Sequence, residues 1–166
     1  MKKNNICSML DFSKALRETV ESRRKMKIKK VTCGLILTDG KQFLSIKPTG
    51  GSFRDIPKGM QEKGESYVDT VIREVKEETN IDISTSRAQL QPLGLFPYTP
   101  EKDVYAFVLR VPNLPDCKDL ECTSTYFDGV KEKPEVGKFK YCTIKDANKF
   151  KKPMQLILFK VFEREK

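Results

Sequence analysis

Alternating apolar and polar positions predict several β-strands over the middle of the chain. β-Branched and aliphatic residues flank Asp39 and Gly40 in KVTCGLILTDGKQFLSIKPT, a pattern typical of a hairpin with a tight turn. Residues 90–111 predict two more strands separated by a Pro-rich loop, and KFKYCTI at 138–144 alternates as another. We therefore expect a central sheet.

Three other segments show the apolar spacing of helices. The first, at 8–22, repeats apolar residues about every four positions. In the second, Glu65 to Thr79, one apolar stripe consists of Val68, Val71, Ile72 and Val75. Asn80 follows it and tolerates the left-handed conformation that ends helices. The third, at 152–165 with Pro153 near its first turn, is expected to be mostly buried through Leu156, Ile157, Phe159, Val161 and Phe162.

The order of these elements predicts an α/β fold with one main domain. In this interpretation residues 1–28 form a separate extension, a helix followed by a basic connector, and the domain covers 29–166. The basic run RRKMKIKK (23–30) spans the boundary between them. Residues 112–137 show no sustained period, so we expect a long loop with a short element at STYFDGV.

Composition narrows the function classes. The net charge of +9 and the pI near 9.3 indicate anionic partners, although a solubilising surface explains the same charge. The chain has no His, so triads that rely on imidazole are excluded, and its five Cys lack the pairing of a zinc site. No apolar run is long enough for a membrane span or a signal peptide. We expect a cytoplasmic protein with reduced thiols and no membrane partner.

One Glu-rich segment, GMQEKGESYVDTVIREVKEETNI at 59–81, contrasts with this basic chain. On a helix, Glu74, Glu77 and Glu78 lie within about 100° of arc beside the apolar stripe. Like charges four residues apart destabilise a helix, and clustered carboxylates suit a hard cation such as Mg²⁺ or Mn²⁺. The alternative is an acidic face balanced by nearby Lys and Arg.

The spacing within this segment resembles the Nudix box, G-x5-E-x7-R-E-U-x-E-E-x-G-U, in which U is aliphatic. The matching residues are Gly59, Glu65, Arg73, Glu74, Val75, Glu77, Glu78 and Ile81. Asn80 replaces the second Gly, at the helix-ending position where Asn is the usual substitute. The order of elements from about residue 29 to 165 is also similar to that family.

The resemblance implies a sandwich of helices around a mixed sheet and a pyrophosphohydrolase of nucleoside diphosphate derivatives. It implies that Glu74, Glu77, Glu78 and the Gly59 carbonyl hold Mg²⁺ or Mn²⁺. Arg73 would have a structural role within the catalytic set, pairing with a box carboxylate such as Glu65 and orienting it. Glu77 or Glu78 is the expected general base, and a later loop offers two alternatives, Glu132 and Glu135.

The substrate stays open at this stage. DIPKG (55–59) resembles the segment before the box in members that act on dinucleoside polyphosphates, diphosphoinositol polyphosphates and 5′-phosphorylated RNA, which makes Lys58 a candidate phosphate contact. After the box, Pro97 favours ADP-ribose and Tyr98 favours dinucleoside polyphosphates. A stacking platform for adenine is a further hypothesis, built from Phe96, Tyr98, Tyr105 and Tyr126.

Three functions therefore remain in view. The first is a hydrolase of dinucleoside polyphosphates or ADP-ribose-like nucleotides. The second is an RNA 5′-end pyrophosphohydrolase or decapping enzyme that uses the basic 23–30 stretch. The third is a non-catalytic nucleotide-binding regulator. A homodimer through the N-terminal helix is also a hypothesis.

Overall fold

A computed structural model of the protein describes residues 29–163. The strands are β1 (Lys30–Thr38), β2 (Phe43–Pro48), β3 (Lys58–Met60), β4 (Gln91–Thr99), β5 (Lys102–Arg110), β6 (Thr125–Phe127), β7 (Glu132–Pro134) and β8 (Val136–Cys142). The helices are α1 (Tyr67–Thr79) and α2 (Lys152–Phe162), with short 3₁₀ helices at Ser84–Gln89, Cys117–Asp119 and Ile144–Lys149. The predicted helix at 8–22 lies outside the described residues.

The central sheet is mixed, as the family resemblance implies. Its strand order is β4-β5-β1-β2-β8, and β3 pairs with β1 beside this path. β1 and β5 run parallel, whereas the pairs β1–β2, β1–β3, β2–β8 and β4–β5 are antiparallel. The predicted hairpin at Asp39 and Gly40 is confirmed, and Gly40 takes a φ of 92° there.

Two apolar layers, one on each face of the sheet, hold the helices. Val71 and Val75 of α1 pack with Leu35 and Phe107 on one face, and Met154, Ile157 and Leu158 of α2 pack with Ile36 and Phe43 on the other. A fully buried Leu or Ile side chain stabilises a fold by about 1.5–3 kcal/mol, so these layers fix both helices against the strands. The α/β sandwich predicted from the sequence is confirmed.

Two expectations about local structure were wrong. Pro92 and Pro97 lie within β4 instead of in a loop between strands, and only Pro100 and Glu101 separate β4 from β5. β4 is an edge strand, where a residue without an N–H donor is tolerated. Leu156 was expected to be buried but is 70% exposed, so the buried face of α2 is narrower than expected.

The predicted long loop after β5 contains a small hairpin. β6 and β7 pair through Thr125–Pro134, Tyr126–Lys133 and Phe127–Glu132, which places the expected short element at its first strand. Among residues 29–163, no helix has the length and hydrophobicity needed to cross a membrane.

Candidate active site

Helix α1 carries the predicted acidic residues, and both of its ends follow from the sequence. Ser66 caps the first turn by accepting a hydrogen bond from the Asp69 N–H, and the Asp69 carboxylate accepts from the Ser66 N–H in return. Asn80 ends the helix with φ 60° and ψ 9°, the left-handed conformation expected of it. α1 therefore begins two residues after the predicted start and ends where predicted.

Arg73 gathers three carboxylates of the segment. Its Nε and Nη2 donate to the two oxygens of Glu65 at 2.8 and 3.0 Å. Its Nη1 donates to Glu74 at 2.8 Å and to Glu77 at 3.1 Å, and its Nη2 also donates to the Met60 carbonyl at 2.9 Å. The planar guanidinium suits this task because its N–H groups point in fixed directions. The expected Arg73–Glu65 pair is present.

Hydrogen bonds from Arg73 hold the pKa of Glu65 down to about 2, with further bonds from the Glu62 N–H and Thr70 in the same direction. The Glu65 hydrogen bonds likewise raise the pKa of Arg73. Each group therefore stabilises the charged form of the other. The pair is a brace between the loop before α1 and the middle of the helix.

Glu74 and Glu78 are more deeply buried than a helix border suggests, each 8% exposed. Burial raises the pKa of Glu78 to about 8, although its hydrogen bond from the Lys58 N–H opposes the shift. Burial also raises the pKa of Glu74, and the Arg73 hydrogen bond opposes it. Two carboxylates that lose hydration without gaining enough compensating charge are destabilised as anions.

Gly59 lies directly against the Glu74 carboxylate. A Cβ atom built on Gly59 would overlap all three atoms of that carboxyl group. Gly59 is in β3, paired with Cys33 of β1, so its backbone is held in place by the sheet. Glycine leaves the space that the Glu74 carboxylate occupies, which explains the first position of the motif in physical terms.

This donor set fits a hard divalent cation. It offers carboxylate oxygens from Glu74, Glu77 and Glu78 and the backbone of Gly59, with no imidazole in the chain. A bound cation would supply the charge that the buried Glu74 and Glu78 lack. Within residues 29–163, no three acidic or thiol groups are already arranged around one point as metal ligands. Arg73 instead engages Glu74 and Glu77 directly.

The two predicted substrate contacts meet at a residue that the sequence did not single out. The Lys58 ammonium lies 2.9 Å from Oδ2 of Asp55, and the Tyr98 hydroxyl donates to the same oxygen at 2.8 Å. Lys58 also lies 5.3 Å from the centroid of the Tyr98 ring. Burial raises the pKa of Tyr98, so its hydroxyl keeps its proton. Asp55 thus positions both side chains, and only its place in DIPKG hinted at this.

The aromatic residues do not form one stacking platform, and that expectation was wrong. Phe96 and Tyr98 pack against the α2 layer of the sheet. Tyr105 lies on the α1 layer, with its ring 4.4 Å from Tyr67. Tyr126 is on the β6–β7 hairpin. Strand alternation sends neighbouring side chains to opposite faces, and the sequence alone did not give the register.

The segment between the 3₁₀ turn at Cys117–Asp119 and β8 closes one end of the site. The N–H and hydroxyl of Thr123 donate to the Glu77 carbonyl at 2.8 and 3.0 Å, and the Ser124 N–H donates there at 3.3 Å. Ser124 also donates a 3.1 Å hydrogen bond to Glu135, whose charge acts on Glu74. Glu132 instead accepts from Thr125 on the hairpin. Of the two later-loop candidates, Glu135 is the one tied to the carboxylates.

One comparison with known proteins shows the family of this chain. The family model described as NUDIX domain matches residues 28–164. The search of curated proteins found no match.

Among solved structures, a Francisella tularensis bifunctional NMN adenylyltransferase/ADP ribose pyrophosphatase with AMP and a Mn ion has a TM-score of 0.66 and 16% identity. The match covers 93% of this chain and 48% of that one, so this chain spans about half its length. A C. elegans Ap4A hydrolase has a TM-score of 0.59 and 26% identity over 81% of this chain and 99% of its own. The E. coli dihydroneopterin triphosphate pyrophosphohydrolase has a TM-score of 0.60 and 18% identity, over 83% of this chain and 99% of its own.

Proposed function

Because the chain belongs to the NUDIX domain family, we propose that it is a divalent-metal-dependent hydrolase. In this proposal it cleaves the pyrophosphate link of a nucleoside diphosphate derivative. One observation carries this proposal, the burial of Glu74 and Glu78 on the same face of α1. The Arg73 guanidinium also pairs with Glu74 and with Glu77. A helix that served only structure would be more stable with apolar side chains in these buried positions.

Glu74, Glu77, Glu78 and the Gly59 carbonyl would hold Mg²⁺ or Mn²⁺. When bound, the cation would neutralise charge on the phosphate oxygens and activate water for attack on phosphorus. Arg73 would keep Glu65, Glu74 and Glu77 at fixed separations, which limits the reorganisation needed when the substrate binds. The hydrogen bond from Lys58 would hold Glu78 in place from the opposite side.

A carboxylate would take the proton from the attacking water, because the chain has no imidazole. Glu77 and Glu78 are our first candidates. Glu135 is the alternative, since Ser124 donates a hydrogen bond to it and its negative charge helps to raise the pKa of Glu74. Glu132 is less suited, because its carboxylate is engaged with Thr125.

The substrate class that we favour is a dinucleoside polyphosphate, with ADP-ribose-like nucleotides next. Lys58 and Tyr98 present an ammonium and an aromatic ring at one place, held by Asp55. The C. elegans Ap4A hydrolase aligns over 99% of its own length, which supports the same class. The RNA 5′-end alternative depends on the basic 23–30 stretch, most of which lies outside the described residues.

A substrate panel tests the proposal. Diadenosine polyphosphates, ADP-ribose, NADH, nucleoside triphosphates, diphosphoinositol phosphates, and capped or triphosphorylated RNA are incubated with Mg²⁺ or Mn²⁺ in ¹⁸O water. We expect hydrolysis of a nucleotide member, with the label in one phosphate of the product, and little sensitivity to salt. Steep loss of RNA hydrolysis with ionic strength would instead support the RNA alternative. Tight nucleotide binding without turnover on any member would support a regulator.

A further inference from the structure

A cavity of about 320 Å³ lies outside the carboxylate site, between the end of β2, the loop before β3 and the 3₁₀ helix before α2. Its lining residues are Lys47, Ser52, Phe53, Arg54, Asn148 and Lys149. Three of these side chains are cationic, of which Lys149 is paired with Asp146, and none of the lining residues is acidic. A concave surface with this lining attracts anions.

Arg54 is held in this cavity by a buried anchor. Its Nε donates to the Ser45 hydroxyl at 2.7 Å, and its Nη2 donates to the Ser45 carbonyl at 3.1 Å. Ser45 is 0% exposed, and its hydroxyl donates in turn to the Lys140 carbonyl at 2.6 Å. The guanidinium is therefore oriented before any ligand arrives. Pre-orientation reduces the entropy that binding must overcome.

The remaining donors of Arg54 suit a phosphoryl group. A guanidinium has five N–H groups, and Ser45 accepts from only two of its nitrogens. No carboxylate within residues 29–163 forms an ion pair with Arg54 or with Lys47. The outer edge of the guanidinium can thus form the paired hydrogen bonds that arginine makes to phosphate oxygens.

Phe53 adds an apolar surface beside these cations. This residue is 47% exposed, so part of its ring is free to contact a ligand. The backbone next to it is fixed, because the Arg54 N–H donates to the Lys149 carbonyl at 2.9 Å. A planar ring stacked on Phe53 would place an attached phosphoryl group near Arg54 and Lys47.

We infer that this cavity is a binding site for a phosphorylated planar ring compound, a nucleotide in chemical terms. Arg54 and Lys47 bind the phosphoryl group, and Phe53 packs against the ring. The nucleotide is either the far end of a hydrolysed substrate or a separate molecule. Arg54 directly precedes Asp55, the residue that holds Lys58 and Tyr98. A nucleotide bound in the cavity would therefore lie next to the proposed substrate contacts.

Binding of AMP to the full-length protein in EDTA tests this site apart from catalysis. Without a metal, the acidic cluster on α1 repels the phosphate, so the catalytic centre contributes little affinity. We expect AMP to shift the backbone NMR signals of Phe53, Arg54 and Asn148, with inorganic phosphate weaker and adenosine weaker still. Shifts confined to residues 74–78, or equal affinity for adenosine and AMP, would overturn the inference.

Three variants sharpen the measurement. Arg54→Met removes the charge while Ser45 keeps its bond to Lys140, and we expect AMP to bind at least about tenfold more weakly. Lys47→Gln should also weaken AMP binding, and it tests the site independently if Arg54→Met folds poorly. Lys102→Gln, an exposed lysine on β5, is the matched control and should bind AMP as the wild type does. If all three variants bind AMP with the affinity of the wild type, the assignment is contradicted.

Steady-state kinetics of hydrolysis distinguish the two sources of the nucleotide, and this step rests on the proposed function. A raised KM with unchanged kcat in Lys47→Gln assigns the cavity to the far end of the substrate. An unchanged KM together with weakened AMP binding assigns it to a separate nucleotide.

Discussion

The main-chain N–H of Lys58 donates a 2.9 Å hydrogen bond to Oε2 of Glu78, which ties the strand before α1 to the last carboxylate on that helix. The same Lys58 extends its ammonium to Asp55 on the other side. One residue thus links the proposed metal ligands to the proposed substrate contacts.

The stability of the metal-free protein should depend on pH between about 4.5 and 8. The pKa of Glu78 rises from 4.5 to about 8 on folding, so the folded protein keeps a proton that the unfolded chain releases in this range. Stability is therefore greatest at the acid end and falls as the pH rises toward 8. Glu74 acts in the same direction, and the chain has no His to titrate there.

Urea unfolding in EDTA at a series of pH values measures this dependence. The Glu78→Gln variant should show a flatter profile, because its side chain carries no charge at any pH. A stability that is constant over this range in the wild type would contradict the burial of an uncompensated Glu78.

Arg73→Lys should destabilise the protein by about 1–3 kcal/mol, the range for removing hydrogen bonds from partly buried charged groups. A lysine cannot reproduce the bonds to Glu65, Glu74 and Glu77 at once. The free energy of unfolding in urea measures the loss. Arg87→Lys is the matched control, since Arg87 pairs with Asp69 on the exposed surface and its replacement should change little.

Gly59→Ala should fold and lose most of its activity. The added methyl group would overlap the Glu74 carboxylate, so that side chain must move away from β3. We expect weaker Mn²⁺ binding by at least about tenfold, a loss of 1.4 kcal/mol or more, measured by calorimetry. Unchanged Mn²⁺ affinity would show that Glu74 is not a ligand.

Glu135→Gln and Glu132→Gln distinguish the two later-loop candidates. Glu135 is held near the carboxylates by Ser124, whereas Glu132 is engaged with Thr125. We expect Glu135→Gln to lower kcat and Glu132→Gln to leave it near the wild-type value. The pH dependence of kcat shows whether Glu135 also acts as the base, because its loss would then remove the acidic limb. The reverse ranking of the two variants would contradict this geometry.

The sequence predicted those parts of the site that depend on local spacing. The apolar stripe, the capping residue Asn80 and the Arg73–Glu65 pair all lie within one segment of α1 and its preceding loop. Helical periodicity determines which of these side chains share a face, so their proximity could be read directly. Alternation of apolar and polar positions likewise indicated β1, β2, β5 and β8, whereas β3 was not predicted.

Contacts between distant segments were not predictable from that spacing. Asp55 and Tyr98 meet only because the sheet brings β4 and the loop before β3 together. Glu135 is linked to the end of α1 only through Ser124, which donates to Glu135 and to the Glu77 carbonyl. The faces of Tyr105 and Phe96 depend on strand register, which a single residue's shift reverses. Long-range pairing therefore sets the substrate side of the site.

Turnover by Glu77→Gln and Glu78→Gln tests the central claim most directly. Each variant is assayed with the best substrate of the panel at saturating Mg²⁺ and Mn²⁺, with Glu132→Gln as the matched control and circular dichroism to confirm folding. We predict that at least one of the two loses kcat by about 10²-fold or more, the usual effect of removing a catalytic acid–base group, while the control does not. Wild-type rates in both variants would contradict the assignment of these carboxylates to the reaction.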